Sequence, residues 1–183
     1  MEEILLYSVI ILWLLIIFHS FLFLLLIRQF GEIFLSSGES ILRDGLAIGE
    51  KIPDMSVIFF LHQREKLLAD VITKPTILCF TAPNCKPCRE LIAHWNEGRM
   101  KFNDEVNFIL VIVGKENEVH KMLGQFPVQG EVIYDKTEEL FVRFKVRVTP
   151  FAFAVDQSGK VKEKGLCGSK AQLEQYVQSL LTK

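Results

Sequence analysis

An uncharged stretch near the amino terminus, residues 4–27, limits most strongly what this chain can fold into. It contains 24 residues without Asp, Glu, Lys or Arg. As an α-helix it would span about 36 Å, more than the roughly 30 Å hydrocarbon core of a bilayer. A secretory signal has a basic start, a shorter apolar run and a small-residue cleavage pattern, and none of these occurs here. We therefore expect residues 1–30 to form an N-terminal transmembrane anchor, with a buried core helix as the alternative.

The remainder of the chain has the composition of one compact domain behind a connector. Residues 31–48, with several glycines and serines, predict a juxtamembrane connector. Residues 49–183 then form a single domain of about 135 residues, which is large enough to bury a core without disulfide staples. Its 19 basic and 17 acidic residues exclude the strongly basic surface of a nucleic-acid-binding protein.

The apolar pattern of this domain alternates between strands and helices. Strands are predicted at residues 57–61, 76–81, 106–113, 132–134, 151–155 and 160–164. Helices are predicted at residues 85–95, 116–123, 137–144 and 170–181. Strands and helices alternate first, and a hairpin with one terminal helix follows. This order indicates an α/β fold in which helices flank a central mixed sheet.

One motif, Cys85-Lys86-Pro87-Cys88, lies where a predicted strand gives way to a predicted helix. In that context, two cysteines at this spacing are typical of a redox-active dithiol. The helix dipole, the unpaired amide groups of the first turn and the charge of Lys86 stabilise the thiolate of Cys85. Pro87 fits the first turn, because its missing N–H removes no helical hydrogen bond. The motif therefore predicts Cys85 as the attacking sulfur and Cys88, one turn later and more buried, as the resolving thiol.

Two other interpretations of the cysteine pair stay open. The pair is also half of a zinc site, although the sequence has no second Cys-x-x-Cys or His-x-x-x-His pair to complete it. A structural disulfide without redox function is the other alternative. We expect the redox interpretation and no metal ligands.

Several segments together resemble the thioredoxin superfamily, and within it the membrane-anchored group of TlpA and ResA. The resemblance covers residues 49–183 and implies a thioredoxin-like fold with thiol–disulfide oxidoreductase activity. Its specific part is the cysteine motif after a strand together with Thr149-Pro150 before one, since either alone is weak. The segments that carry it are Gly49-Glu50-Lys51-Ile52-Pro53-Asp54, Phe80–Cys88, Val148–Asp156 and Gly159-Lys160.

The resemblance also implies how a substrate binds. Pro150 is expected to be a cis-proline placed against the disulfide, with the Thr149 backbone pairing with an extended substrate segment. A cis X-Pro bond is rare enough to indicate a fixed structural role. An ordinary trans-proline at the start of a strand is the alternative.

The segment after the anchor, Ile27-Arg28-Gln29-Phe30-Gly31-Glu32-Ile33, resembles that of MauD-like proteins, accessory proteins of methylamine dehydrogenase maturation. That group is implicated in forming or rearranging disulfides of a cysteine-rich exported subunit. The resemblance implies a domain outside the cytoplasmic membrane of a bacterium, served by a membrane-embedded redox partner. Arg28 and Arg43, which follow the span, favour the opposite orientation by the positive-inside rule. The charges and the resemblance therefore disagree about the side of the membrane.

Two groups of relatives each have a carboxylate that assists proton transfer near the active-site cysteines, and this chain has a carboxylate at neither position. Thioredoxin has an Asp six residues before the first active-site cysteine, where this chain has Cys79, and the ResA type has a Glu where this chain has Leu91. Proton transfer at Cys88 must then use water, Glu90 or another group. Cys79 is either a small buried hydrophobic residue or an additional thiol that exchanges with Cys88. Cys167 falls in a loop that approaches the active site in this fold, and it is the second candidate thiol.

The sequence therefore predicts a thioredoxin-like α/β domain behind one transmembrane helix. The predicted activity is thiol–disulfide exchange with the cysteines of an exported client protein, by reduction, formation or isomerisation of disulfides. We expect no bound cofactor and no nucleic-acid partner. A non-catalytic interaction or metal-delivery module that uses the same cysteine pair is the alternative function.

Overall fold

A computed structural model describes residues 2–62 and 64–182, without the side chains of residues 3–5 and 27–43. The side chains of the Arg28-Gln29-Phe30-Gly31 segment therefore lie outside the described part. The chain divides into two units, Met1–Leu42 and Arg43–Lys183.

The first unit is helical. Helix α1 runs from Glu2 to Arg43, so the helix continues through most of the predicted connector. Within it, Leu6–Leu26 is 21 residues long with a mean hydropathy of 2.9, and its described apolar side chains are exposed. By length and composition this segment is a candidate membrane span.

The second unit is built on a five-stranded mixed sheet with the order β5-β4-β3-β6-β7. Strand β3 is central, parallel to β4 on one side and antiparallel to β6 on the other. All six β3 residues are buried, which explains the nearly continuous apolar run in this part of the sequence. The strands are β3 Thr76–Thr81, β4 Asn107–Val113, β5 Glu131–Asp135, β6 Phe151–Val155 and β7 Val161–Leu166.

Helices and a small hairpin surround this sheet. The hairpin joins β1 Ser56–Ile58 to β2 Glu65–Leu67. The helices are α2 Leu68–Val71, α3 Lys86–Phe102, α4 Glu116–Gln125, α5 Glu139–Arg143 and α6 Lys170–Leu181. A mixed central sheet flanked by helices confirms the predicted α/β class.

Several elements differ from the sequence prediction, among them helix α2, which was not predicted, and helix α3, which continues to Phe102 instead of ending near residue 95. Strand β2 was not predicted, because all three of its side chains are exposed and carry no apolar alternation. Helix α5 starts at Glu139 instead of Thr137, since Glu138 adopts a left-handed conformation with φ of 61°. The Asp135 carboxylate accepts a hydrogen bond from the Phe141 N–H in the first turn of α5 at 3.0 Å.

Alternation along β3 and β6 gives the sheet two unlike faces. One face, which we call the phenylalanine face, carries aromatic rings that pack against one another. The opposite face, the thiol face, carries small side chains under α3 and α6. The phenylalanine face comprises Phe80, Phe141, Phe144, Phe151 and Phe153. The thiol face comprises Cys79, Trp95, Ala152, Ala154, Cys167 and Tyr176.

The second unit begins with a tightly held segment. The Asp44 side chain is 4% exposed and pairs with Arg147, and Leu46 enters the core. Lys164 donates to the Asp44 carbonyl oxygen at 2.7 Å. Residues 44–46 therefore pack with the compact domain, close in sequence to the end of α1.

Candidate active site

Cys85 and Cys88 form a disulfide at the start of α3. A short turn after β3 presents them, in which the Cys85 N–H donates to the Ala82 carbonyl oxygen at 3.2 Å. Cys85 is the N-cap residue and is partly exposed, whereas Cys88 lies in the first turn and is fully buried. An incoming sulfur can therefore reach Cys85 but not Cys88.

The start of α3 provides the electrostatics of the site. The Cys88 N–H donates to the Cys85 sulfur at 3.2 Å, a contact that also stabilises a thiolate once the disulfide is reduced. The Lys86 ammonium lies 3.7 Å from the Glu90 carboxylate, and both side chains are largely exposed. Glu90 therefore compensates part of the Lys86 charge, and the Cys88 N–H at the helix terminus is a direct contact to the Cys85 sulfur.

Thr149 and Pro150 lie directly against the disulfide. The Thr149–Pro150 peptide bond is cis, as the family resemblance implies. The Thr149 carbonyl oxygen is 3.6 Å from the Cys85 sulfur, within reach of a hydrogen bond from the reduced thiol. On its other side, the Pro150 carbonyl oxygen accepts a hydrogen bond from the Cys167 N–H at 3.0 Å. The start of β6 and the loop after β7 therefore both border the site.

Two residues that the sequence analysis did not single out hold the active-site turn. The Arg89 guanidinium donates to the Pro83 carbonyl oxygen at 2.8 Å. The Asn84 amide donates to the Glu118 carboxylate at 3.1 Å and ties the turn to α4. Arg89 follows the second cysteine directly, a position that could have drawn attention, whereas no sequence signal pairs Asn84 with α4.

The two additional thiols lie together beneath the site. Cys79 and Cys167 are free and fully buried, and both belong to the thiol face. A side-chain hydrogen bond with Cys167 raises the pKa of the Cys79 thiol well above its ordinary value, and burial raises it further. Leu91 is also buried on this face. The buried Cys79 and Leu91 provide no carboxylate beneath the site, and the thiol of Cys79 is protonated at neutral pH.

The structure also bears on the zinc interpretation. Among the side chains that the structure describes, no three His, Cys, Asp or Glu residues cluster in a way that could hold a metal ion. The disulfide itself has both sulfur atoms engaged in a covalent bond.

Comparison with known proteins identifies relatives of the whole arrangement. A family model described as the AhpC/TSA family matches residues 48–164. The methylamine utilization protein MauD of Methylophilus methylotrophus is 29% identical over 182 residues, which cover 97% of this chain and 84% of that protein. The thiol-disulfide oxidoreductase ResA of Bacillus cereus is 29% identical over 142 residues, covering 75% of this chain and 81% of that protein.

A solved structure shows the same fold. A candidate thiol:disulfide interchange protein DsbE from Chlorobium tepidum superposes with a TM-score of 0.67 at 25% identity. The match covers 73% of this chain and 97% of that one. These matches confirm the predicted thioredoxin-like fold and the predicted resemblance to MauD-like and ResA-like proteins.

Proposed function

Because the chain belongs to the AhpC/TSA family and is a thiol–disulfide oxidoreductase, we propose that it exchanges disulfides with the cysteines of an exported client protein. Residues 1–30 anchor it in the bacterial cytoplasmic membrane, and residues 49–183 form the catalytic domain. Residues 31–48 are the juxtamembrane connector that joins the two. The observation that carries the proposal is the partly exposed Cys85 sulfur at the start of α3, 3.6 Å from the Thr149 carbonyl oxygen.

The exchange needs only the sulfur atoms of the two proteins. A client thiolate attacks the Cys85 sulfur, the Cys85–Cys88 bond breaks, and Cys88 leaves as a thiolate that takes up a proton. A second client thiolate then attacks the client sulfur of this mixed disulfide, which forms the client disulfide and releases the Cys85 thiolate. In the reverse direction, the Cys85 thiolate opens a client disulfide and Cys88 resolves the intermediate. The reduction potentials of the two couples set the direction, with about 30 mV corresponding to 1.4 kcal/mol.

Backbone pairing at Thr149 is the proposed docking contact. Thr149 is partly exposed, immediately precedes β6, and has its carbonyl oxygen next to the reactive sulfur. An extended client segment that pairs with this backbone would place a cysteine over Cys85. Pro150 has no N–H to offer the client, so Thr149 supplies the pairing groups on this side of the disulfide.

Trapping of a mixed disulfide tests the proposal. In its native membrane, the Cys88→Ser full-length chain retains the attacking sulfur but not the resolving one. We expect it to accumulate a client-linked species that dithiothreitol releases, and we expect the matched Cys85→Ser chain to trap none. A correctly folded Cys88→Ser chain without any trapped protein would contradict the proposal. Stoichiometric Cu(I) or zinc binding in that case would favour a metal-delivery module.

Two further measurements test the side of the membrane and the direction of exchange. A membrane-impermeant thiol reagent should label reduced Cys85 in intact cells, and protection until lysis would place the domain in the cytoplasm. A reduction potential of the Cys85/Cys88 couple near that of thioredoxin, about −270 mV, would assign the protein to client reduction and contradict a role in disulfide formation.

A further inference from the structure

The disulfide site has a second pair of cysteines below it that the proposed client reaction does not use. Cys79 lies in the middle of β3, opposite Ala152 of β6, which in turn lies opposite Gly165 of β7. Cys167 follows the last residue of β7 and packs in the same core cluster as Cys79. A β-carbon at Gly165 would lie 2.8 Å from the Tyr176 hydroxyl, so Tyr176 covers this position, and the Cys79 and Cys167 side chains share a hydrogen bond.

The Cys167 segment also borders the reactive disulfide. The Cys167 N–H donates to the carbonyl oxygen of Pro150, the residue after Thr149. A β-carbon built on the next residue, Gly168, would lie 4.0 Å from the Pro87 side chain of the active-site motif. Cys88, directly after Pro87, is fully buried and so faces the protein interior. Cys167 therefore contacts the Cys79 thiol through its side chain and the active-site residue Pro150 through its backbone.

We propose that Cys79 and Cys167 form a second dithiol/disulfide couple, which exchanges electrons with the Cys85–Cys88 disulfide inside the same chain. This inference rests on the proposed function only in taking Cys85–Cys88 to be redox-active. Its consequence is storage: the fully reduced protein holds four electrons, two in each couple, instead of the two held by one Cys-x-x-Cys motif.

The exchange is balanced within the chain. The Cys167 thiolate attacks the Cys88 sulfur, the Cys85–Cys88 bond breaks, and Cys85 leaves as a thiolate that takes up the proton lost by Cys167. The Cys79 thiol then attacks the Cys167 sulfur, forms the Cys79–Cys167 disulfide, and gives its proton to the departing Cys88. One disulfide and two thiols are present before and after, so no external oxidant is needed.

The position of Cys167 in a loop makes the second bond attainable. A disulfide requires the two α-carbons to approach within about 7 Å. Cys79 is held in the central strand, so the movement must come from the Cys167 side. Gly168, directly after Cys167 in the short loop between β7 and α6, has no β-carbon, which gives this loop conformational freedom, whereas Gly165 is paired within β7. Because the buried Cys79 thiol is protonated, it is a weaker nucleophile and reacts in the second exchange step, not in the first.

Peptide mapping of the full-length wild-type chain tests the inference without any substitution. Trypsin separates Cys167, on residues 165–170, from the other three cysteines, on residues 67–89, because Lys74 and Lys86 precede prolines. The chain is prepared in detergent with Cys85–Cys88 oxidised and the other thiols reduced, left without oxidant, then acid-quenched, alkylated and digested. We expect a fraction of chains in which residues 165–170 are disulfide-linked to residues 67–89. Complete alkylation of residues 165–170 at all times would overturn the exchange.

A variant pair assigns the partner of Cys167. In the Cys85→Ser/Cys88→Ser chain only Cys79 and Cys167 remain, and treatment with diamide should link the two peptides and remove both free thiols. Adding Cys167→Ala is the matched control and should leave one free thiol. Two free thiols in the double variant, under diamide conditions that fully oxidise Cys85–Cys88 in the wild type, would overturn the second couple. If the exchange is absent but the Cys88→Ser chain still traps a client, this inference alone is refuted. If the Cys88→Ser chain traps no client, the proposed function is refuted.

Discussion

The phenylalanine face and the thiol face are made by alternate residues of the same two strands, but their side chains differ in size and packing. On β6, Phe151 and Phe153 point to one side and Ala152 and Ala154 to the other. On the phenylalanine face, Phe80 has three aromatic neighbours with ring centroids 4.9 to 5.6 Å away. On the thiol face, the same strands carry Ile77, Cys79, Ala152 and Ala154 beneath two helices.

The comparison indicates which face contributes most to the stability of the domain and which face carries its additional thiols. Interlocked aromatic rings bury much apolar area per residue and tolerate little change in volume. Alanine and cysteine bury less area per residue, and the large side chains of the thiol face, Trp95 and Tyr176, come from the covering helices α3 and α6. The phenylalanine face stabilises the positions of β3 and β6, and the thiol face carries Cys79 and Cys167 on the other side of the sheet.

Truncation of one ring should have the largest effect. Phe153→Ala removes a ring that packs against Phe80, Phe144 and Phe151. We expect the free energy of unfolding to fall by about 3–5 kcal/mol, measured by urea titration of the full-length chain in detergent with fluorescence of buried Trp95. On the other face, Cys79→Ala removes one buried atom and should cost about 1 kcal/mol. Equal losses at the two positions would break the comparison.

Filling the space beside the rings should have the next largest effect. A β-carbon at Gly45 would lie 2.7 Å from the Phe153 ring, and Gly45 has φ of +77°. Overpacking of this kind costs about 1–3 kcal/mol in addition to the backbone strain. Gly49→Ala is the matched control, because Gly49 has φ of +85° but meets no atom within 4 Å. A Gly45→Ala chain no less stable than the Gly49→Ala chain would show that the phenylalanine face has spare room.

How much of this arrangement could be predicted depends on how far apart the interacting residues lie in the sequence. Local signals predicted strand β3 and the start of α3 next to Cys85, because short motifs carry them, and the family resemblance implied the cis bond at Pro150. The phenylalanine face was not predicted as a unit, since Phe80 and Phe141 come from distant segments that only the sheet order brings together. The Cys79–Cys167 contact was missed for the same reason, because the two cysteines are distant in sequence and come together only through the pairing of β3, β6 and β7.

A smaller effect is expected from the polar group at the edge of the thiol face. The Tyr176 hydroxyl donates to the Leu166 carbonyl oxygen at 2.9 Å, just before Cys167. Tyr176→Phe leaves that carbonyl without this partner and should lower the free energy of unfolding by about 0.5–1.5 kcal/mol. Ser179→Ala, which removes another hydroxyl bond to a backbone carbonyl on α6, is the control for loss of one hydrogen bond. If the Cys167 segment depends on Tyr176, alkylation of Cys167 in the native chain should be faster in Tyr176→Phe only.

The phenylalanine face also contains a buried carboxyl group. The Asp135 side chain is 4% exposed at the end of β5 and accepts the Phe141 N–H, which fixes the short helix that carries Phe141 against Phe80. Burial raises the pKa of Asp135 above its ordinary value, although the hydrogen bonds from the Phe141, Leu140 and Glu139 backbones act in the opposite direction.

The smallest expected effect is therefore a pH dependence of stability. Because the pKa of Asp135 is higher in the folded chain than in the unfolded chain, the folded chain binds more protons between the two values. The stabilisation is complete below the ordinary pKa of about 3.9 and is lost as the pH rises through the raised pKa. Asp135→Asn keeps an oxygen for the Phe141 N–H and does not titrate. Urea titrations from pH 4 to 8 should show the wild type losing stability relative to Asp135→Asn; a relative gain would mean that the hydrogen bonds outweigh burial on this face.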